Sequence, residues 1–517
     1  MKETSRNIDT LVAYALSEGL IAPEDRVYAI NRLLAVLGES EYVPAENGNS
    51  TSEIPVPAGE QRGKFTSPQP ILDALLEKAA ANGTLESNTP VYRDLLDTEL
   101  MAGLTPPPSA VIAKFRQYYA DSPEKATSWY YRFSQATNYI RTDRIARDVR
   151  WEYNSPWGEL IITINLSKPE KDPVAIANAK KQKQSAYPAC AICPENEGYA
   201  GTVTQAARGN HRILPITLGG EDWFWQYSPY VYYNEHCIAL NKKHTPMVIN
   251  RATFGKLLDF TDIFPHYFIG SNADLPIVGG SILTHDHFQG GKFRFPMAEA
   301  PVGQTFDVSG LQGVSCGIVE WPMSVLRLSG TDKKAILDLA EQILARWKTY
   351  SDESVEIFAF TGDTPHNTIT PIARRRGNQY ELDLVLRNNR TTDEHPLGLF
   401  HPHAEKHHIK KENIGLIEVM GLAVLPARLK NALSSLADCW AGGADCFAEN
   451  AELLPHKPWF DEIASREKPT SRAEAEEILK REVGRVFAGC LEDAGVFKQT
   501  EAGREAFVRF VKVALEK

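Results

Sequence analysis

The segment Ile277-Val278-Gly279-Gly280-Ser281-Ile282-Leu283-Thr284-His285-Asp286-His287-Phe288-Gln289-Gly290-Gly291 places two histidines and a glutamine at alternate positions, with glycine pairs on both flanks. Side chains alternate between the two faces of a strand, so we expect His285, His287 and Gln289 to share one face. A solvated strand edge would tolerate such a pattern, but burying two imidazoles and an amide without a function is costly. The flanking glycines allow a ligand to approach the backbone closely. The segment therefore favours a nucleophilic histidine, because a neutral imidazole attacks phosphorus without first losing a proton.

The segment resembles the active-site motif of the histidine-triad superfamily, in the branch where glutamine replaces the third histidine. That branch comprises the hexose-1-phosphate uridylyltransferases of galactose metabolism. The resemblance covers essentially the whole chain and is greatest to the second, bacterial type. The better-known type has proline where this chain has Asp286, and its upstream serine lies one residue closer to the nucleophile than Ser281 lies to His287.

The resemblance implies a transfer of UMP from UDP-glucose to galactose-1-phosphate through a covalent uridylyl-histidine. In that mechanism His287 is the nucleophile, and Gln289 donates an amide hydrogen bond to a phosphoryl oxygen. Gly280 and Ser281 are expected to contact the substrate. The sequence leaves hexose selectivity open. The alternatives are a dinucleoside-polyphosphate or nucleoside-diphosphosugar phosphorylase of the same superfamily, and a nucleotide-binding protein without turnover.

Cys190 and Cys193 have the spacing of half a tetrahedral zinc site, although a redox pair has the same spacing. The resemblance implies the complete set Cys190, Cys193, His244 and His285, with His236 as the alternative to His244. Two thiolates and two imidazoles would make a closed structural site that holds the catalytic segment against its neighbours.

Other candidate substrate contacts flank the motif. Asn272 precedes it in a turn and is expected to bond the ribose, although turn residues often bond their own backbone. Lys292 and Arg294 follow it, in a run that alternates like a strand, and are expected to offset phosphate charge. The aromatic stretch 223–230 lies where the family holds uracil, but core packing explains it equally well.

The predicted fold class is α+β. Residues 1–140 show helical periodicity and proline-initiated helices, and they resemble the helical N-terminal extension of the bacterial type. The resemblance implies two histidine-triad-like antiparallel sheet units flanked by helices: a catalytic half at 141–330 and a diverged second half at 331–517. His401 and His403 form a faded echo of the motif, which is a second metal site, a hexose-side surface or a solvated loop.

Composition excludes several classes of protein. A net charge of −10 over 517 residues argues against a nucleic-acid binder. We find no apolar run of the ~20 residues that a membrane helix needs, and no signal peptide. Seven cysteines without a secretion signal predict thiols in the cytoplasm. The resemblance also implies a homodimer.

Overall fold

A computed structural model describes residues 2–44, 67–167, 187–280, 282–308, 313–443, 445–448 and 450–516. Ser281 lies outside the described residues.

The first part of the chain is helical, as predicted. Prolines open several of these helices at positions where no backbone donor is needed. The side chain of Ser122 also caps one of them by accepting a hydrogen bond from the Lys125 N–H. The helices are α1 (Lys2–Ser17), α2 (Arg26–Val36), α3 (Gln69–Asn82), α4 (Pro90–Ala102), α5 (Pro108–Asp121), α6 (Pro123–Ala136) and α7 (Thr142–Ile145).

The later helices are α8 (Arg251–Ile263), α9 (Pro296–Glu299), α10 (Lys333–Thr349), α11 (Leu416–Val419), α12 (Arg428–Gly442), α13 (Lys457–Arg466), α14 (Arg472–Ala494) and α15 (Glu501–Leu515). In the described parts of the chain, none of the helices combines the length and the hydropathy needed to cross a membrane.

The strands are β1 (Val149–Ser155), β2 (Gly158–Ile164), β3 (Leu214–Leu218), β4 (Glu221–Tyr227), β5 (Cys237–Asn241), β6 (Phe268–Gly270), β7 (His287–Gly291), β8 (Val302–Phe306), β9 (Val314–Val319), β10 (Val325–Gly330), β11 (Phe360–Thr361), β12 (Thr364–Pro365), β13 (Asn367–Arg376), β14 (Gln379–Asn388) and β15 (Leu422–Leu425). Among the described residues, ten of them form one antiparallel sheet in the order β3-β4-β5-β7-β6-β13-β14-β10-β9-β8.

The two halves of this sheet have the same topology. Each half contains five strands. From the outer edge of the sheet to its centre, they are the first, second, third, fifth and fourth of that half in chain order. The two halves therefore meet where β6 pairs with β13. A helix follows the third strand in both halves, α8 in one and α10 in the other. The chain is therefore a duplicated α+β protein. On this topology the second copy begins with β8 at Val302, earlier than the predicted residue 331.

The N-terminal helices cover one face of the sheet. Trp225 of β4 is fully buried, with its ring centroid 5.3 Å from Tyr130 of α6 and 5.8 Å from Phe115 of α5. Trp223 is equally enclosed and stacks on Phe288 of β7 at 4.7 Å. These two tryptophans therefore belong to the core, where they pack against other side chains and cannot hold a base.

The opposite face packs against a smaller sheet of β1, β2 and β15, with helices α12 and α14 behind it. Charged groups lie within this layer. Arg327 and Arg374 both bond the fully buried Asp383, at 2.8 and 2.7 Å. The two guanidinium groups hold the pKa of Asp383 below its usual range despite its burial.

Three local predictions were wrong. Residues 292–296 do not continue a strand, because β7 ends at Gly291 and the helix α9 begins at Pro296. The run Ile357-Phe358-Ala359-Phe360-Thr361 also predicts a strand, but the structure forms only the two-residue β11 there. Cys439 and Cys446 form a disulfide instead of two thiols.

Candidate functional site

The motif lies on β7, between β5 and β6 in the first half of the large sheet. His287 pairs with Leu240 of β5, and Gln289 pairs with Gly270 of β6. Phe288 points into the core, so strand alternation directs His287 and Gln289 to the opposite face. The strand starts at His287, which corrects the expectation that His285 shares it. His285 precedes the strand and turns toward the two cysteines.

His287 is held in one tautomer. Its Nδ1–H donates to the backbone oxygen of His285 at 2.8 Å, which leaves the lone pair on Nε2. The ring is almost completely buried, and burial lowers the pKa of His287 to about 4. The imidazole is therefore neutral near pH 7 and presents one unprotonated nitrogen.

Four predicted metal ligands converge. The ligand atoms of Cys190, Cys193, His244 and His285 all lie within 4.8 Å of one another. Nδ1 of His285 is 3.2 Å from Sγ of Cys190, and Nδ1 of His244 is 3.2 Å from Sγ of Cys193. These separations are close to the edges of a tetrahedron of zinc ligands. The cluster can hold a metal ion.

The backbone around these ligands supports them. Nε2–H of His285 donates to the backbone oxygen of Asn241 at 2.8 Å, which frees Nδ1 for the cluster. The Asp286 N–H donates to the oxygen of Thr245 at 2.7 Å, a bond that proline could not make. His236, the alternative to His244, is not a member of the cluster.

His236 contacts the other end of the motif instead. Its Nε2 lies 3.2 Å from Oε1 of Gln289, and its Nδ1–H donates to the oxygen of Tyr230 at 2.7 Å. Sequence reasoning considered this residue only as a metal ligand, because no local pattern connects position 236 with position 289. The antiparallel pairing of β5 with β7 brings the two residues together.

Asn272 and Gly280 lie next to each other beside the motif. Asn272 is buried, and its Oδ1 accepts a hydrogen bond from the Leu416 N–H at 2.9 Å. A Cβ on Gly280 would lie 2.6 Å from Nδ2 of Asn272, so only glycine fits against that amide. The oxygen of Asn272 is committed to the fold, and its amide nitrogen faces Gly280.

Lys292 and Arg294 lie beyond the far end of β7. Four residues lie between His287 and Lys292, and the extended backbone of β7 from His287 to Gly291 spans roughly 13 Å. Both side chains line a separate cavity of about 550 Å³ with Arg374, Arg375 and Arg376. Lys292 lies 3.7 Å from the Glu124 carboxylate. The predicted contact of Lys292 and Arg294 with phosphate therefore stays a prediction.

The second histidine pair is not on the strand equivalent to β7. That strand is β14, and His401 and His403 follow it in a loop. His403, Glu405 and Asp493 lie close enough to hold a metal ion, but Lys406 already binds both carboxylates, at 2.6 and 2.9 Å. The pair is therefore not a displaced copy of the catalytic motif.

Comparison with known proteins now decides the family. Residues 19–246 match the family "Galactose-1-phosphate uridyl transferase, N-terminal domain", and residues 260–439 match the corresponding C-terminal domain. The chain belongs to the galactose-1-phosphate uridylyltransferase family. It is an enzyme, a nucleotidyltransferase of galactose metabolism with galactose-1-phosphate uridylyltransferase activity.

Full-length relatives in this family are similar throughout. The galactose-1-phosphate uridylyltransferase of Halalkalibacterium halodurans is 52% identical over 98% of this chain and 97% of its own length. Those of Bacillus subtilis and Clostridium acetobutylicum are 51% and 48% identical over 98% of this chain, and over 96% and 99% of their own lengths. Yeast Ap4A phosphorylase Apa2 aligns with 57% of this chain and 88% of its own, at 11% identity and a TM-score of 0.30, which is too low to establish a shared fold.

Proposed function

We propose that the transfer proceeds through a covalent uridylyl group on His287. The observation that supports it is the fixed tautomer of this residue, which leaves Nε2 unprotonated on the polar face of β7. UDP-glucose is the proposed donor and galactose-1-phosphate the proposed acceptor.

In the first step, the lone pair of Nε2 attacks the α-phosphorus of UDP-glucose. A nitrogen–phosphorus bond forms, the bond from phosphorus to the bridging oxygen breaks, and glucose-1-phosphate leaves with that electron pair. The imidazole gains positive charge, which the His285 backbone oxygen stabilises through the Nδ1–H bond. In the second step, a phosphate oxygen of galactose-1-phosphate attacks the same phosphorus and releases neutral His287.

Gln289 supports both displacements by donating an amide hydrogen bond to a non-bridging oxygen as negative charge develops there. An amide cannot transfer a proton, and none is needed, because each leaving phosphate departs as a stable anion. We propose that Gly280 and Ser281 contact the diphosphate. For Asn272 we propose that its amide nitrogen, and not its committed oxygen, faces the nucleotide.

Zinc is the proposed metal of the four-residue cluster, because two thiolates with two imidazoles are a donor set typical of structural zinc. A bound zinc would supply rigidity rather than reactivity. His285 connects the cluster to the nucleophile, since its ring is a proposed ligand and its backbone oxygen holds Nδ1–H of His287. A change in the cluster would therefore displace the nucleophile.

Two further properties are proposed from the family resemblance. A homodimer is expected to complete the active sites, and sedimentation analysis of the purified protein tests it. A cytoplasmic location is supported by the free cysteines Cys190, Cys193, Cys237, Cys316 and Cys490, whereas the Cys439–Cys446 disulfide counts against it.

Trapping the intermediate tests the mechanism. The protein is incubated with UDP-glucose labelled in the uridylyl phosphate, quenched in alkali, and the labelled peptide is mapped. Label on His287 that moves to UDP-galactose when galactose-1-phosphate is added is the expected result. His287→Ala should trap no label, whereas His456→Ala, which removes another buried histidine, should trap as much as the wild type. Wild-type turnover by His287→Ala would overturn the assignment, and label moving to inorganic phosphate but not to a sugar phosphate would indicate a phosphorylase.

A further inference from the structure

His236 is a buried histidine that the mechanism has not used. It lies just before β5, only 2% exposed, beside Gln289 on the neighbouring strand. Its ring is fixed by the Nδ1–H bond to Tyr230 and by the ring of Tyr233, whose centroid lies 4.7 Å away. Its backbone oxygen accepts a hydrogen bond from the Ser228 N–H at 2.8 Å. The direction of Nε2 is therefore set by the fold.

The proton on this ring determines what Nε2 can do. The 2.7 Å contact with a carbonyl oxygen requires the hydrogen to be on Nδ1. Burial lowers the pKa of His236 to about 4, so the ring carries no second proton near neutral pH. Nε2 is consequently a hydrogen-bond acceptor aimed at the Gln289 amide.

An acceptor at this place selects one orientation of the amide. The nitrogen and the oxygen of an amide have nearly the same shape, and a half turn about the last side-chain torsion exchanges them. An oxygen 3.2 Å from Nε2 would put two acceptors face to face, whereas the nitrogen in that place makes a hydrogen bond. The amide nitrogen carries a second hydrogen, which remains available.

We propose that His236 is the positioning residue for Gln289: its Nε2 accepts one amide hydrogen and thereby directs the second at the phosphoryl oxygen during uridylyl transfer. This inference rests on the role proposed above for Gln289. Without a fixed acceptor, the Gln289 amide would also populate the opposite orientation, in which its oxygen faces the phosphate. That oxygen would repel the negative charge that develops on the phosphoryl group.

Two substitutions separate the contacts of His236. In His236→Asn, the amide nitrogen replaces Nδ1 and keeps the bond to Tyr230, but nothing replaces Nε2. In His236→Gln, the amide oxygen replaces Nε2 as an acceptor for Gln289. We expect the single-turnover rate of uridylylation to fall about 10- to 100-fold in His236→Asn. This loss is smaller than the one caused by removing a transition-state hydrogen-bond donor completely. The KM for UDP-glucose should stay within about threefold of the wild-type value. His236→Gln should recover the rate to within about fivefold of the wild type.

A double-mutant cycle distinguishes positioning from a general structural effect. Once Gln289→Ala has removed the amide, adding His236→Asn should slow the reaction no further. Equal slowing in both backgrounds, or a wild-type rate in His236→Asn, would overturn the proposal. If His236→Asn does not fold, a loss in His236→Gln as large as that in Gln289→Ala overturns it as well. Failure of the proposed function is separate, because the wild type would then trap no uridylyl group.

Discussion

Gly290 directly follows Gln289 on β7 and packs closely against β6. A single added methyl group at this position should lower both stability and activity. A Cβ at this position would lie 2.4 Å from the backbone oxygen of Phe268 and 2.8 Å from Cδ1 of Ile269. Real Cβ atoms essentially never come closer than 3.0 Å to other heavy atoms, so β7 and β6 must separate by at least 0.6 Å (3.0 minus 2.4). The oxygen belongs to the backbone of β6, which pairs with β13 on its other side and cannot turn away.

The magnitude follows from these contacts. Overpacking a rigid site costs about 1 to 3 kcal/mol, and the backbone clash favours the upper end. Alanine also restricts the unfolded chain, which returns about 0.4 to 1 kcal/mol. We therefore expect Gly290→Ala to lower the free energy of unfolding by about 2 kcal/mol. Gln289 is the adjacent residue. A misplacement of about 1 Å in an active site can cost about 100-fold in rate, so a shift of at least 0.6 Å should slow the reaction roughly 10-fold or more.

Urea unfolding and the rate of uridylyl transfer measure the two effects. Gly442→Ala is the matched control, because nothing lies within 4 Å of its added methyl group. At the end of α12 this control should leave stability unchanged or raise it by up to about 1 kcal/mol. An unfolding free energy within about 0.5 kcal/mol of the wild type and an undiminished rate for Gly290→Ala would refute the reasoning.

Three further predictions concern the metal, the acid response and the buried ion pairs. Cys193→Ala should reduce bound zinc, measured by mass spectrometry, from about one ion per chain to near zero. Cys316→Ala is the control, because it changes a buried cysteine outside the cluster and should keep the zinc. An active wild-type protein without bound metal would contradict this prediction. Burial lowers the pKa of His211 from 6.5 to about 3, so its neutral form stabilises the fold fully above pH 6.5 and less as the pH falls toward 3. Between pH 7 and pH 5 the unfolding free energy of the wild type should therefore decrease by about 2 kcal/mol more than that of His211→Leu. An equal decrease in both proteins would contradict this prediction. Asp383→Ala leaves the buried Arg327 without its carboxylate partner and leaves Arg374 with Glu381 alone, so it should cost about 3 to 5 kcal/mol in urea unfolding. Asp121→Ala at an exposed pair should cost less than about 1 kcal/mol, and similar losses in the two variants would show that burial is not the cause.

Structural features that depend only on short stretches of sequence could be predicted. The N-terminal helices followed from apolar periodicity and from prolines such as Pro108 and Pro123 in their first turns. The spacing of Cys190 and Cys193 indicated half of a metal cluster, and resemblance to a known family supplied its other two members. These signals depend on the backbone geometry of a few consecutive residues, which the local sequence determines.

The tertiary structure decided what depends on strand register and burial. Trp225 could have faced a nucleotide or the core, and α5 and α6 bury it. Lys292 follows the motif closely in sequence, yet it lies past the end of β7, whose extended backbone from His287 to Gly291 alone spans roughly 13 Å. His236 is 53 residues from Gln289 and still touches it, because two antiparallel strands align them. Contacts between distant residues are set by how strands pair and layers pack, so no local pattern in the sequence determines them.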